Sequence, residues 1–332
     1  MALVNVNGYM GSGRSAVTDL FREFEGFSVP NSHDEFQLLN HRDGLLALYE
    51  IVKSENHAVF SEAILRFITF TKYLERKPKG IQKLYQWGIN YDDRYHGFSK
   101  ITGDFIESIC LSSWDATHPD MHINYSAVNS FLIKLKSKFL GTAPWPKTKF
   151  FLMNRDEYQM KFIKYLEDVL DLKNGLNVVV NNAFEINNCS KYFKLFNDPV
   201  CINVDRDIRD MYLSMILAPR SRYKEHYLRI SGAFDVKKFG AFQHSLHSNN
   251  DGACDKVLNI KFEDLIFNYT DTVTSILNLT NSDLEKHCFK HRYFDPDRSS
   301  NNIMLWKKNN LNKTIISDLN YLENKYPELC YM

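Results

Sequence analysis

Three groups of residues in this 332-residue chain have the types and spacing to do chemistry. The first is Gly8-Tyr9-Met10-Gly11-Ser12-Gly13-Arg14-Ser15, a glycine-rich run after the apolar Val4 to Val6 and before the amphipathic Thr18 to Arg22. A strand, a glycine turn and a helix in that order leave backbone N–H groups converging on one point at a helix N-terminus, which is a site for a phosphate or sulfate. The spacing also fits G-x-x-x-x-G-K-[ST], with Arg14 where a nucleotide triphosphatase has lysine. The second group is Arg206-Asp207-Ile208-Arg209-Asp210 with Ser214 eight residues after Arg206. An arginine at the carboxyl end of a strand and a serine about two helical turns on are placed to share one phosphate. Taken alone, the same arginines among three aspartates also fit a solvated charge cluster at a helix start. The third group is His33-Asp34-Glu35, polar residues just after the second strand, which fit either an acid–base role or a helix cap.

These groups need strands to hold them, and the pattern supplies strands. Residues 2–7, 26–29, 177–180, 200–204 and 257–262 read as short buried strands, alternating with helical segments at 14–25, 156–172, 190–196, 209–217 and from 263 to about 279. Such alternation predicts an α/β fold, a three-layer sandwich whose central sheet is mainly parallel. A block at about 43–150, rich in aromatics at helical spacing, reads as a mainly helical insertion. A second block at about 219–255 carries Arg220, Arg222, Lys224, Arg229, Lys237 and Lys238 with little periodicity, and reads as a substrate-facing insertion. A final helix is expected over about 313–325. The expectation is therefore one elaborated domain.

Composition narrows the classes of function. With 41 Lys plus Arg against 40 Asp plus Glu, the net charge of +1 gives no electrostatic ground for a nucleic-acid binder, so an anion site must be local. The six cysteines form no C-x-x-C pair, which argues against a zinc ribbon or a disulfide framework. His118 and His122 stand four apart with Pro119 between them and no H-E-x-x-H pattern, so no metal is expected. The first strand begins within a few residues of Met1 and no run of 18 apolar residues occurs, so the sequence reads as a cytoplasmic protein without a transmembrane segment.

In combination the segments resemble the sulfotransferase superfamily that uses 3′-phosphoadenosine 5′-phosphosulfate (PAPS). That family holds the 5′-phosphosulfate in a G-x-x-x-S-G-[TS]-[ST] loop, here Gly8 to Ser15. It holds the 3′-phosphate with the first arginine and last serine of R-[DN]-P-[RK]-D-x-x-x-S, here Arg206 and Ser214, with Ile208 in place of the proline. Ile260 to Leu265 is similar to its R-Y-E-D-L junction, and Arg298 to Lys307 resembles the basic loop ending in W-K that folds over the nucleotide. The resemblance implies a P-loop-related fold and sulfuryl transfer from PAPS to an acceptor hydroxyl, on a carbohydrate or glycan precursor, without a metal. Gly11, Ser12, Gly13, Arg14, Ser15 and Ala16 would bind the donor with Arg206, Ser214, Arg298, Trp306 and Lys307. In carbohydrate sulfotransferases a segment like N-E-x-x-F supplies the general base, and Glu35 is its nearest match, ahead of His33 and Asp34. Gly11 stands where many members have a lysine that touches the transferring group, which leaves Arg14 or a basic residue of 219–255 to supply that charge. Two other readings stay open: a P-loop kinase or triphosphatase, with Asp205 as the magnesium acid, and a non-catalytic nucleotide- or glycan-binding protein.

Overall fold

Val, Ile and Asn alternate along Leu3–Gly8 and Cys201–Val204, and in a strand that period of two sends each type to opposite faces of a sheet. The computed structural model describes residues 2–31, 33–117, 126–141, 147–217, 224–247, 254–308 and 311–331. It divides into two units, residues 1–40 with 170–332, and residues 41–169.

In the first unit, β1 (Leu3–Gly8) and β2 (Phe27–Ser28) flank the helix Arg14–Phe21 in sequence. The second unit holds β3 (Cys110–Thr117) and β4 (Lys147–Met153), and the first resumes with β5 (Asn177–Asn181), β6 (Pro199–Asp205) and β7 (Val257–Lys261). Five of these form a wholly parallel sheet in the order β2-β5-β1-β6-β7. Helices cover both faces, so the fold is mixed α/β with a mostly parallel central sheet. On one face Val4, Val6, Ile202 and Val204 pack with Val17, Leu20 and Phe21 of the helix Arg14–Phe21 and with Val273, Ile276 and Leu277 of the helix Tyr269–Leu279. The intervening residues Asn5, Asn7, Cys201 and Asn203 are buried as well and are linked by hydrogen bonds, Asn7 donating to Asn203 and Asn203 to Asn259 at 2.9 Å. A further cluster joins Ile208, Met211 and Leu213 of the helix Ile208–Ile216 to Phe239 of the helix Val236–His247 and to Leu319 and Leu322 of the helix Lys313–Lys325.

Register is what positions the site. β1 lies between β5 and β6, with Val6 opposite Asn181 and Gly8 opposite Val204, so the segments that follow these strands emerge side by side at one edge. Ligands of open parallel sheets bind at that edge, beyond the carboxyl ends of the strands.

Two segments differ from the sequence expectation. The helical block does carry the helices Leu45–Lys53, His57–Glu75, Phe98–Ser108 and Ala127–Leu140, the first three of which bury aromatic rings such as Phe105, stacked on Tyr165 at 4.3 Å. It also holds the antiparallel pair β3 and β4, whose serines, threonines and lysines hide a strand's hydrophobic alternation. The described residues of the stretch after 219 include two helices, Lys224–Ser231 and Val236–His247, where charges and histidines had masked the period. Arg220, Arg222, His118 and His122 lie outside the described residues.

Candidate functional site

The loop after β1 turns twice through left-handed backbone, at Gly11 with φ of 85° and at Gly13 with φ of 89°. Both conformations suit glycine, and space enforces it too: a Cβ on Gly13 would stand 2.3 Å from the Phe262 ring, and one on Gly11 would stand 2.8 Å from Ser214 Oγ. The position where the family resemblance leads one to look for lysine therefore follows a left-handed path on which a side chain would be strained and would crowd Ser214. Gly8 N–H donates to Asn182 Oδ1 at 3.1 Å and Ser12 N–H to the Tyr9 carbonyl at 3.0 Å, which sets the turn. Among the described residues, the N–H groups of Gly11, Gly13, Arg14 and Ser15 have no hydrogen-bond partner. They open onto the N-terminus of the eight-residue helix Arg14–Phe21, whose dipole also favours an anion.

These groups border a cavity of about 980 Å³ in the first unit. Of the sequence-derived candidates, Gly11, Gly13, Arg14, Ser15 and Ala16 line it from the loop, and Glu35, Arg206, Ser214 and Arg298 line it from elsewhere. His33 lines it as well, whereas Asp34 does not and accepts from Asn31 Nδ2 at 3.2 Å. Ser12 is fully buried beneath the loop and does not reach the cavity. Trp306 and Lys307 also lie away from it: the Arg209 guanidinium sits 3.9 Å above the Trp306 ring and Lys307 Nζ 4.8 Å from it. The tryptophan thus caps a buried arginine.

Arg14 is the first residue of its helix, and its side chain is 13% exposed. Its Nη2 lies 3.6 Å from Glu35 Oε1, and its Nη1 is buried with no hydrogen-bond partner among the described residues. Burial pulls its pKa down, and the charge of Glu35 opposes that. Such a guanidinium gains from an anion arriving in the cavity, because the anion supplies the missing acceptor. Glu35 is aimed by Asn182, whose Nδ2 donates to its Oε1 at 2.8 Å. Asn182 has φ of 48°, a conformation asparagine tolerates, and joins the base candidate to the start of the loop through its two amide ends.

Arg206 follows β6 and is 6% exposed. Its Nη1 donates to the Gly11 carbonyl at 2.8 Å and its Nη2 to the Asn302 carbonyl, while Nε is buried without a partner among the described residues. Burial lowers its pKa, and the carboxylates of Asp210, Glu263 and Asp207 work in the opposite direction. Four residues on, Asp210 accepts from the N–H groups of Met304 and Leu305, both at 2.7 Å. Arg206 and Asp210 together fasten the loop 302–305 beside the glycine turn. Ser214 donates to the Met211 carbonyl at 2.8 Å and keeps its oxygen against Gly11. Glu263 accepts from Asp207 N–H at 2.9 Å, its other oxygen has no partner among the described residues, and burial pushes its pKa up to about 7.

Asp205, the magnesium candidate of the triphosphatase reading, is already engaged. Its carboxylate accepts from Arg206 N–H, from His247 Nε2 at 2.8 Å and from the Tyr331 hydroxyl, and it does not line the cavity. Nor do the described basic residues of the 219–255 block reach the cavity. Lys224 donates to the Ile216 carbonyl, Arg229 pairs with Glu225, and Lys238 lies over Phe234. Among the described residues no group of three or more His, Cys, Asp and Glu is arranged to hold a metal, and no helix is long and apolar enough to cross a membrane.

Sequence reasoning gave no role to Asn182, Asn302 or Asp210, although Asp210 lies in the segment that starts at Arg206 and Asn302 in the loop from Arg298 to Lys307. Each acts by holding another residue.

No protein-family model and no curated protein matches the chain. Among solved structures it is similar to the sulfotransferase domain of the Synechococcus PCC 7002 olefin synthase, with 11% identity and a TM-score of 0.43 over 98% of this chain and 94% of that one. It is also similar to the sulfotransferase domain of the curacin biosynthetic pathway, with 11% identity and a TM-score of 0.41 over 98% and 97% of the two chains. A sulfotransferase of Mycobacterium tuberculosis matches at 10% identity and a TM-score of 0.36 over 92% of this chain and 76% of that one.

Proposed function

We propose that this protein transfers the sulfuryl group of PAPS to an acceptor hydroxyl. The observation that carries the proposal is the meeting of two sequence segments almost 200 residues apart: Arg206 donates to the Gly11 carbonyl, and Ser214 stands against the same glycine. An anion cradle alone fits any phosphate. A cradle with an arginine and a serine from the segment that follows the neighbouring strand beside it fits a nucleotide with phosphates at both ends. The loop N–H groups and Ser15 hold the 5′-phosphosulfate, and Arg206 with Ser214 faces the 3′-phosphate.

The chemistry asks little of the protein beyond position and charge. The acceptor oxygen attacks sulfur in line, the bond from sulfur to the bridging oxygen breaks, and its electrons leave on the 5′-phosphate of the nucleotide. The acceptor proton passes to the carboxylate of Glu35. Arg14 neutralises charge on the sulfuryl and phosphate oxygens, the task that a loop lysine cannot perform where Gly11 stands. The reaction scheme calls for no metal. A kinase or triphosphatase reading is weakened by Arg14 in place of lysine and by the three donors that occupy Asp205.

Calorimetry tests the reading directly. Adenosine 3′,5′-bisphosphate should bind, magnesium-ATP should bind more weakly, and Ser214→Ala should weaken the bisphosphate several-fold. Tighter binding of magnesium-ATP would sink the proposal.

A further inference from the structure

The transfer needs room for the body that carries the acceptor hydroxyl, and the cavity has it. Single ligands occupy pockets of about 300–1,000 Å³, and this one, at about 980 Å³, lies at the top of that range. Its walls differ in kind. Arg14, Arg206 and Arg298 belong to the side of the glycine loop and the loop after Phe294. The side built by the helices Lys224–Ser231 and Val236–His247 presents Tyr227, Ile230, Ser231, Phe242 and Gln243, and none of them is charged.

Helical spacing explains the division. Tyr227, Ile230 and Ser231 stand at i, i+3 and i+4 and share one face of their helix. The charges of the same helices turn elsewhere, Arg229 to Glu225 and Lys238 to the Phe234 ring. Folding leaves the apolar side chains of this wall uncovered: Ile230 is 57% exposed, Tyr227 46% and Phe242 43%. Exposed apolar surface gathered on one wall of a cavity is a surface that a ligand covers. Between these residues Gln243 is 2% exposed, and its side-chain oxygen has no hydrogen-bond partner among the described residues. It offers an uncharged polar contact beside the apolar side chains of Ile230 and Phe242.

We infer that the acceptor is an alcohol or phenol carried on an apolar body that packs against Tyr227, Ile230 and Phe242, with Ile230 and Phe242 setting specificity. The inference rests on the sulfuryl-transfer reading and deepens it, because a polyanionic glycan would meet no cation on this wall, and a neutral sugar would leave most of its hydroxyls unpaired there. The reacting hydroxyl gives its proton to Glu35 and its oxygen forms the new bond to sulfur, with the nucleotide phosphate departing as before.

The test follows transfer from radiolabelled PAPS to 2-naphthol, 1-octanol, maltotriose and a chondroitin tetrasaccharide, with the affinity for adenosine 3′,5′-bisphosphate measured in parallel. The naphthol and octanol should be sulfated with kcat/KM at least tenfold above either sugar. Ile230→Asp and Phe242→Ala should each raise KM for 2-naphthol about tenfold while bisphosphate affinity stays within twofold. A preference for a sugar with nucleotide binding intact would overturn this inference and leave the transferase reading standing. If the nucleotide does not bind, the transferase reading fails, and titration followed by naphthol fluorescence still decides on the wall. Saturable binding lost in Ile230→Asp upholds the apolar pocket, and no saturable binding overturns it.

Discussion

The glycine loop and the segment from Arg206 to Ser214 each bring a buried arginine to the same cavity, and the two arginines are held in opposite ways. Arg206 spends two of its nitrogens on the carbonyls of Gly11 and Asn302, among the carboxylates of Asp210, Glu263 and Asp207. Arg14 has only the long contact to Glu35 and a buried nitrogen with no partner among the described residues. One cation is committed to the fold and shapes the site, whereas the other is left under-coordinated and pays off only when an anion arrives. The comparison separates residues whose loss should read out in stability from those whose loss should read out in ligand affinity.

The largest effect should come from Arg206→Ala. It strips donors from two carbonyls and leaves three acidic groups without their shared cation, which should cost about 3 kcal/mol in urea unfolding and weaken the bisphosphate as well. A loss under about 1 kcal/mol would mean that Arg206 is not a structural tie.

The acidic side of the same segment makes a pH prediction. Burial raises the Glu263 pKa from its ordinary 4.5 to about 7, so between these values the folded protein holds a proton that the unfolded chain has released. Stability from this group is complete below about pH 4.5 and is lost as the pH rises through 7, an amount of up to about 3 kcal/mol. Urea midpoints measured from pH 5 to 8 should fall less steeply for Glu263→Gln than for the wild type. Parallel curves would remove Glu263 as the source.

Glu35→Gln breaks the comparison from the loop side. Transfer should drop by about 10²-fold with bisphosphate affinity unchanged or higher, since the general base is lost and a negative charge beside Arg14 goes with it. Wild-type turnover would assign proton removal to His33 or to another group.

The smallest effect, and the sharpest contrast, belongs to Arg14→Met. Bisphosphate affinity should fall about tenfold, about 1.4 kcal/mol, while unfolding stability changes by less than about 1 kcal/mol. If this variant unfolds as readily as Arg206→Ala, the distinction between the two arginines collapses.

Much of this arrangement was legible from residue types. The strand, loop and helix from Leu3 to Phe21, the strand ending at Asp205 and the helix carrying Ser214 all follow from short-range periodicity and glycine placement. Three things were not. β3 and β4 hid behind polar residues, the helices after 223 hid behind charges, and the packing of Trp306 under the Arg209 guanidinium had no sequence signature. Asn182 carried no chemical signature either, because its function is to orient Glu35 and to hold the N–H of Gly8.

By itself, the sequence determined the local conformations: left-handed turns that need glycine, runs of alternating Val and Asn that make buried strands, and an arginine and a serine two helical turns apart. These depend on forces that act within a few residues. Only the tertiary structure decided which groups share the cavity, because the parallel pairing of β1 with β5 and β6 brings together segments separated by more than 170 residues. It also decided that Arg206 is engaged while Arg14 is under-coordinated, and that one wall is apolar. Partnership and burial belong to the packed chain, and no residue type announces them in advance.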